Sequence, residues 1–215
     1  MTSWIDEGFV AFDTETTGLD VHEARIVTAS TVVFRNGQPE SPRTWLIKVD
    51  VDIPSAASDV HGITNEISQR DGQDQAQALA QIQESLEKDA LPIVSYNAAF
   101  DIPILNSNLI RQGLSALTAP AVICPWIIDK QFNKYVRGKN QRRLKPTAER
   151  YGLELREEDW HGAQADALVA GRILMAQGAA YAAVRETPPG ELSALIEGWR
   201  IEQEADFQAW LARQK

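Results

Sequence analysis

Cysteine, methionine and histidine are scarce in this chain of 215 residues: one Cys, two Met and three His. The single Cys124 excludes an internal disulfide and any cysteine-built zinc site. A chain of this size buries enough surface to fold without either. Long hydrophobic runs are also missing, and none approaches the ~18 residues that a membrane span needs. The opening MTSWIDEGFVAFD has neither the basic nor the apolar stretch of a secretory signal. These absences lead us to expect a soluble, cytoplasmic protein with no membrane partner. Positive charge is in deficit too, 21 Lys and Arg against 30 Asp and Glu, for a net charge of −9. Taken alone, that balance argues against nucleic acid, because phosphate binding usually leaves a basic footprint.

The order of patterns predicts an α/β fold. An apolar run over 8–14 and the β-branched run 26–35 read as strands, and Asn36-Gly37 reads as a hairpin turn into a third strand over 44–49. Helical spacing follows over 73–88, then a strand at 92–96, a helix over 101–111 ending at Gly113, and a short strand at 121–124. Beyond that, helices are expected over 126–135, 146–151, 163–181 and 191–213. Together these give a mixed five-stranded sheet with helices on both faces. Thr187-Pro188-Pro189-Gly190 is the expected hinge, separating a domain of residues 1–186 from a helical extension over 187–215.

Three clusters carry chemistry. Asp13 and Glu15 leave the first strand two residues apart, so both point to one face, where their charges repel unless a cation lies between them. Oxygen-only ligands favour Mg²⁺ or Mn²⁺ over zinc. Asp101 follows the strand end in Tyr96-Asn97-Ala98-Ala99-Phe100-Asp101; helix capping would explain it alone, but it stands at another strand's carboxyl end, as Asp13 does at its own. Asp166 lies on a small-residue helix that must pack closely, five residues after His161. Four carboxylates and a histidine from three distant segments make the ligand set for two-metal hydrolysis of a phosphodiester, with His161 as the base near neutral pH.

The stretches FDTETTGL, NAAFD and HGAQADA resemble the three motifs of the DEDDh (DnaQ-like) 3′-5′ exonucleases, which include the epsilon proofreading subunit of bacterial DNA polymerase III. The match spans roughly residues 8–178 and takes in His61-Gly62-Ile63-Thr64, similar to that family's HGIT turn. The resemblance implies a ribonuclease H-like fold, two Mg²⁺ or Mn²⁺ ions, and release of nucleoside 5′-monophosphates from 3′ ends. It implies that Asp13, Glu15 and Asp166 hold one ion, with Asp13 bridging both, that Asp101 holds the second, and that His161 is the base. By the same resemblance Thr16, Thr17 and Leu19 line the terminal-nucleotide pocket, Asn97 and Phe100 lie beside the substrate, and His61 sits on a neighbouring loop. The expected substrate is single-stranded or frayed DNA, with proofreading or repair as its setting. An RNA-trimming exonuclease is the alternative, followed by a catalytically idle nucleic-acid or polymerase-binding module.

Charge distribution reverses the first inference from net charge. Residues 130–156 hold nine bases against Glu149 and Glu154, a local +7 that leaves −16 on the remainder. A charge run usually marks a solvated face, but interleaved Phe132 and Tyr135 and a place just before the third motif make a groove for a strand's phosphates the sharper expectation. Asp129, just before it, reads as a local structural acid. The last helix spaces Leu192, Leu195, Ile196, Trp199, Phe207, Trp210 and Leu211 as a packing stripe, or as a docking face for a polymerase or a second copy.

Overall fold

A computed structural model describes residues 3–154 and 162–213. After a short helix α1 (Trp4–Glu7), strand β1 (Phe9–Thr16) pairs antiparallel with β2 (Ile26–Arg35), the β-branched run. Asn36 and Gly37 both take positive φ, 51° and 72°, as the hairpin turn requires. The third strand, expected over 44–49, is β4 (Arg43–Leu46), and an unpredicted two-residue strand β3 (Gln38–Pro39) precedes it; both are antiparallel to β2. Pro39 and Pro42 explain the break between the two, since neither can donate to a ladder. The short strands β5 (Ile93–Val94) and β6 (Val122–Ile123) add in parallel on the other side of β1. The sheet therefore has six strands in five positions, in the order β3-β2-β1-β5-β6 with β4 beside β3 on the same edge.

Between β4 and β5 come α2 (Ser55–His61), α3 (Asn65–Asp71) and α4 (Gln75–Glu87). Helix α5 (Ala98–Arg111) links β5 to β6, and α6 (Pro125–Phe132), α7 (Leu144–Arg150), α8 (Ala163–Ala180), α9 (Ala182–Glu186) and α10 (Pro189–Ala212) follow. Side-chain alternation along β1 divides the core. Phe9 and Ala11 pack with Ala167 and Leu174 of α8 on one face, while Val10 and Phe12 meet Leu79 and Ile82 of α4 and Leu105 and Leu109 of α5 on the other.

Helix α8 lies close to the sheet because its residues are small. A Cβ placed on Gly171 would fall 2.3 Å from the Phe34 ring, which stacks on Phe9. Gly171→Ala should destabilise the protein by ~1–3 kcal/mol through overpacking, read as a lower urea midpoint with an unchanged m value.

The first half of the last helix packs on the domain, as the stripe predicted. Leu192 and Ile196 are buried in the α8-side core, and the Ser193 hydroxyl accepts the outward N–H of Val122 on β6 at 3.1 Å. Past Gln203 the apolar side chains face solvent, with Phe207 and Trp210 stacked on each other. Among the described residues, no helix is long and apolar enough to cross a membrane.

Candidate active site

The sheet's division into faces builds the site. Asp13 and Glu15 continue the Phe9 and Ala11 face at the carboxyl end of β1 and there meet Asp166 from the first turn of α8. One ligand oxygen from each of these three residues lies within 4.8 Å of the others. Thr14 faces the opposite way, where its hydroxyl donates to Asp101 Oδ1 at 2.8 Å; the Ser95 hydroxyl donates to Oδ2 at 2.6 Å. Asp101 is buried at the start of α5, so its carboxylate stands behind the other three and is held by two hydroxyls. The β1–β2 ladder slips beside these acids: Glu15 faces Thr28 but Thr16 faces Ile26, a bulge that ends the pairing and turns the chain away.

Crowded carboxylates lose acidity. Burial, then the charges of Asp101, Asp166 and Glu15, push Asp13 well above the ordinary carboxylate range. Glu15 rises to about 7 through burial and then through Asp166 and Asp101. Burial raises Asp101 to about 6, against the hydrogen bonds from Ser95 and Thr14, which lower it. Near neutral pH these groups compete for protons that a cation would displace. Hard oxygen donors under mutual repulsion fit a divalent ion of the Mg²⁺ or Mn²⁺ kind.

Thr16, Thr17 and Leu19 follow the acids of β1 directly in the chain. The Thr16 hydroxyl donates to the Gly18 carbonyl at 2.8 Å, and Thr17 is buried, its hydroxyl accepting the Arg25 N–H at 2.9 Å. Both hydroxyls thus brace the turn. Leu19 projects from that turn 90% exposed. Asn108 of α5, which the sequence reading did not single out, fixes the turn's far end by donating to Ala24 O and accepting from Ile26 N. Only its central place in α5 hinted at a role, since a fully buried Asn must find partners.

Asn97 is exposed at the N-terminus of α5, and Phe100 is half-buried against the α4-side core. His61 ends α2, and Gly62 caps it with a φ of 75°. Its Nδ1 accepts the Ile63 N–H at 3.1 Å, which leaves the proton of the neutral ring on Nε2. Nε2 is buried without a full hydrogen bond, and burial lowers the ring's pKa, an effect the nearby Thr16 backbone partly offsets. His61 borders a cavity of about 530 Å³ between β2, β4 and the start of α8. His161, the expected base, lies outside the described residues, as does Arg156.

Residues 10–174 match the exonuclease family RNase_T, more than half of the chain. The chain belongs to that family. Membership agrees with the resemblance of its motifs to the DnaQ-like exonucleases. Among its relatives, the PolC-type DNA polymerase III of Mycoplasma genitalium is 27% identical over 168 residues, 77% of this chain and 11% of the relative. The Streptococcus sanguinis counterpart is 29% identical over 170 residues, 79% and 11%. The chain thus spans about a tenth of the length of these polymerases. The fold is similar to that of E. coli exonuclease I, solved in a zinc-bound complex with single-stranded DNA: TM-score 0.70, 16% identity, 84% of this chain and 42% of that one. Exonuclease I of Methylocaldum szegediense gives 0.65 at 17% identity, over 82% and 41%. As in the family, the sheet is mixed, open and ribonuclease H-like.

Asp129 plays the structural part that the sequence indicated. Its side chain is 0% exposed; Oδ2 receives Arg142 at 2.7 Å and Arg150 at 2.8 Å, and Oδ1 receives Asn133 at 2.8 Å. Two of the nine bases in the positive segment therefore point inwards.

Proposed function

We propose that this protein is a divalent-metal-dependent 3′-5′ exonuclease acting on single-stranded or frayed DNA 3′ ends and releasing nucleoside 5′-monophosphates. The observation that carries the reading is the convergence of Asp13, Glu15 and Asp166 within 4.8 Å, where burial and then the charge of Asp101 hold the pKa of Asp13 well above the ordinary carboxylate range. Asp13, Glu15 and Asp166 would hold one Mg²⁺ or Mn²⁺, and Asp13 and Asp101 a second. Such ions supply Lewis acidity that makes water acidic near neutral pH and offsets charge on the phosphate.

The chain's own residues do the remainder. The braced turn at Thr16 and Thr17 seats the terminal nucleotide, and Leu19 presents its exposed side chain to that nucleotide's base. His61, at the end of α2, and Asn97, with its exposed amide, flank the same end of the strand beside Phe100. His161 takes a proton from the attacking water as it displaces the 3′ oxygen of the preceding nucleotide. Nucleotide removal of this kind belongs to proofreading or repair. A polymerase partner, to which the PolC-type relatives point, would use the outer half of α10.

Digestion of a 5′-labelled single-stranded oligonucleotide with Mg²⁺ or Mn²⁺ tests the reading. A ladder shortening one nucleotide at a time from the 3′ end is expected. Absence of the ladder, or its persistence in Asp13→Asn, would overturn the assignment. His161→Ala should lower turnover by about a hundredfold. In the wild type, turnover should fall as the pH drops below the ~6.5 of an ordinary imidazole.

A further inference from the structure

We propose that the loop between α6 and α7, together with the carboxyl end of β5, forms a second binding subsite, which holds the nucleotides upstream of the 3′-terminal one in single-stranded DNA. The proposal rests on the reading of the active site only for the direction in which the strand runs.

A cavity of about 510 Å³ lies between this loop and the end of β5, lined by Tyr96, Asn97, Trp126, Gly138, Asn140 and Arg143 among others. It opens beside Asn97, the residue that starts the helix carrying Asp101. A strand leaving the carboxylates past Asn97 enters it directly. The loop is built rather than slack. Arg142 spans it from inside, donating to Asp129 at 2.7 Å and to the carbonyl of Asn133 at 2.8 Å. The Tyr96 hydroxyl donates to the Arg142 carbonyl at 2.8 Å, and Arg143 N–H donates to the Asn140 carbonyl at 3.0 Å.

Pairing with Asp129 separates the bases into two groups. Arg142 and Arg150 share one buried carboxylate, which turns both guanidiniums inwards and makes them poorer phosphate ligands than the exposed bases of the loop. Lys134, Arg137, Lys139 and Arg143 are exposed on the loop that borders the cavity. Amid these four cations Tyr135 stands 89% exposed, an aromatic ring kept in water. Cations tracking a backbone with a ring on which a base can stack are the two components of single-strand binding. The rest of the chain, strongly negative, would repel the same strand.

Fluorescence anisotropy of a labelled single-stranded DNA oligonucleotide, titrated in EDTA across a range of salt, separates binding from cleavage. The doubly substituted protein, Lys139→Gln with Arg143→Gln, should bind roughly tenfold more weakly at low salt, with a slope of log K against log salt shallower by about 1.4, two phosphates at ~0.7 each. Tyr135→Ala should weaken binding by at least about fivefold at every salt concentration with its slope unchanged, since stacking releases no counterions. Lys88→Gln, at the far end of α4, should behave as wild type. An unaltered slope in the double variant would overturn the subsite even if cleavage is normal. Altered slopes with no cleavage by the wild type would overturn the proposed activity and leave the subsite standing.

Discussion

Asp13→Asn should abolish exonuclease turnover, by ~10³-fold or more, and at the same time make the metal-free protein more stable at pH 8. Both effects have one origin. The folded chain holds Asp13, Glu15, Asp166 and Asp101 close together with little water to screen them, and Asp13 and Glu15 resist ionisation as a result. A carboxyl with a raised folded pKa keeps its proton longer in the folded chain than in the unfolded one. Without metal, this contribution to stability is full below about 4.5, the ordinary Glu value, and is lost as the pH rises through about 7 for Glu15. Replacing Asp13 by its neutral isostere removes a repelling partner. A gain of ~1–3 kcal/mol after allowance for screening, or a Tm higher by ~2–10 °C, is expected at pH 8 in EDTA. Mg²⁺ or Mn²⁺ at about 100 times its Kd should stabilise the wild type by ~2.7 kcal/mol and the variant far less. A wild type whose Tm ignores both pH and metal would contradict this account.

Asp129→Ala should be the most damaging single change outside the active site, costing ~3–5 kcal/mol. Its carboxylate is fully buried and takes bonds from Arg142, Arg150 and Asn133. Removing it leaves two guanidiniums, each about a fifth to a quarter exposed, facing an empty cavity. Asn133 also donates towards the hydroxyls of Tyr151 and Tyr181, so the loss reaches the contact between α7 and α9. Asp129→Asn keeps one acceptor and the volume, and should lose roughly half as much. Urea unfolding of the three proteins gives the order wild type, Asn, Ala; equal midpoints would refute the clamp.

The sequence made the centre of this molecule legible and its periphery less so. β2 lies over the residues expected, because a β-branched run bounded by Arg25 and the Asn36-Gly37 turn leaves little choice. Asp13 and Glu15 could be placed on one face because period two along a strand is a local signal of position, whereas the joining of Asp166 to them was implied by the motifs' resemblance to a family. Helices α2 and α3 were not foreseen. Each has seven residues and almost no buried side chain, so no apolar period marks them. Their signal lay in His61-Gly62-Ile63-Thr64, where Gly62 stops one helix and the Thr64 hydroxyl caps the next. Nor could charge counting reveal that Arg142 and Arg150 turn inwards, 13 and 21 residues from their common acid. Cys124 is buried; its thiol donates to the Tyr96 carbonyl at 3.2 Å, and burial pushes its pKa up to about 11, which sequence position alone could not show.

The bond between Ser193 and Val122 determines how this sheet can meet other chains. Strand β6 is an edge only two residues long, and the hydroxyl of α10 already holds its outward N–H. An edge covered this way is a poor template on which another protein could add a strand. Partners on this side should approach through helices or loops. Cutting the chain before Thr187 should strip the cover from this edge and bare Ile123 and Ile127 to solvent.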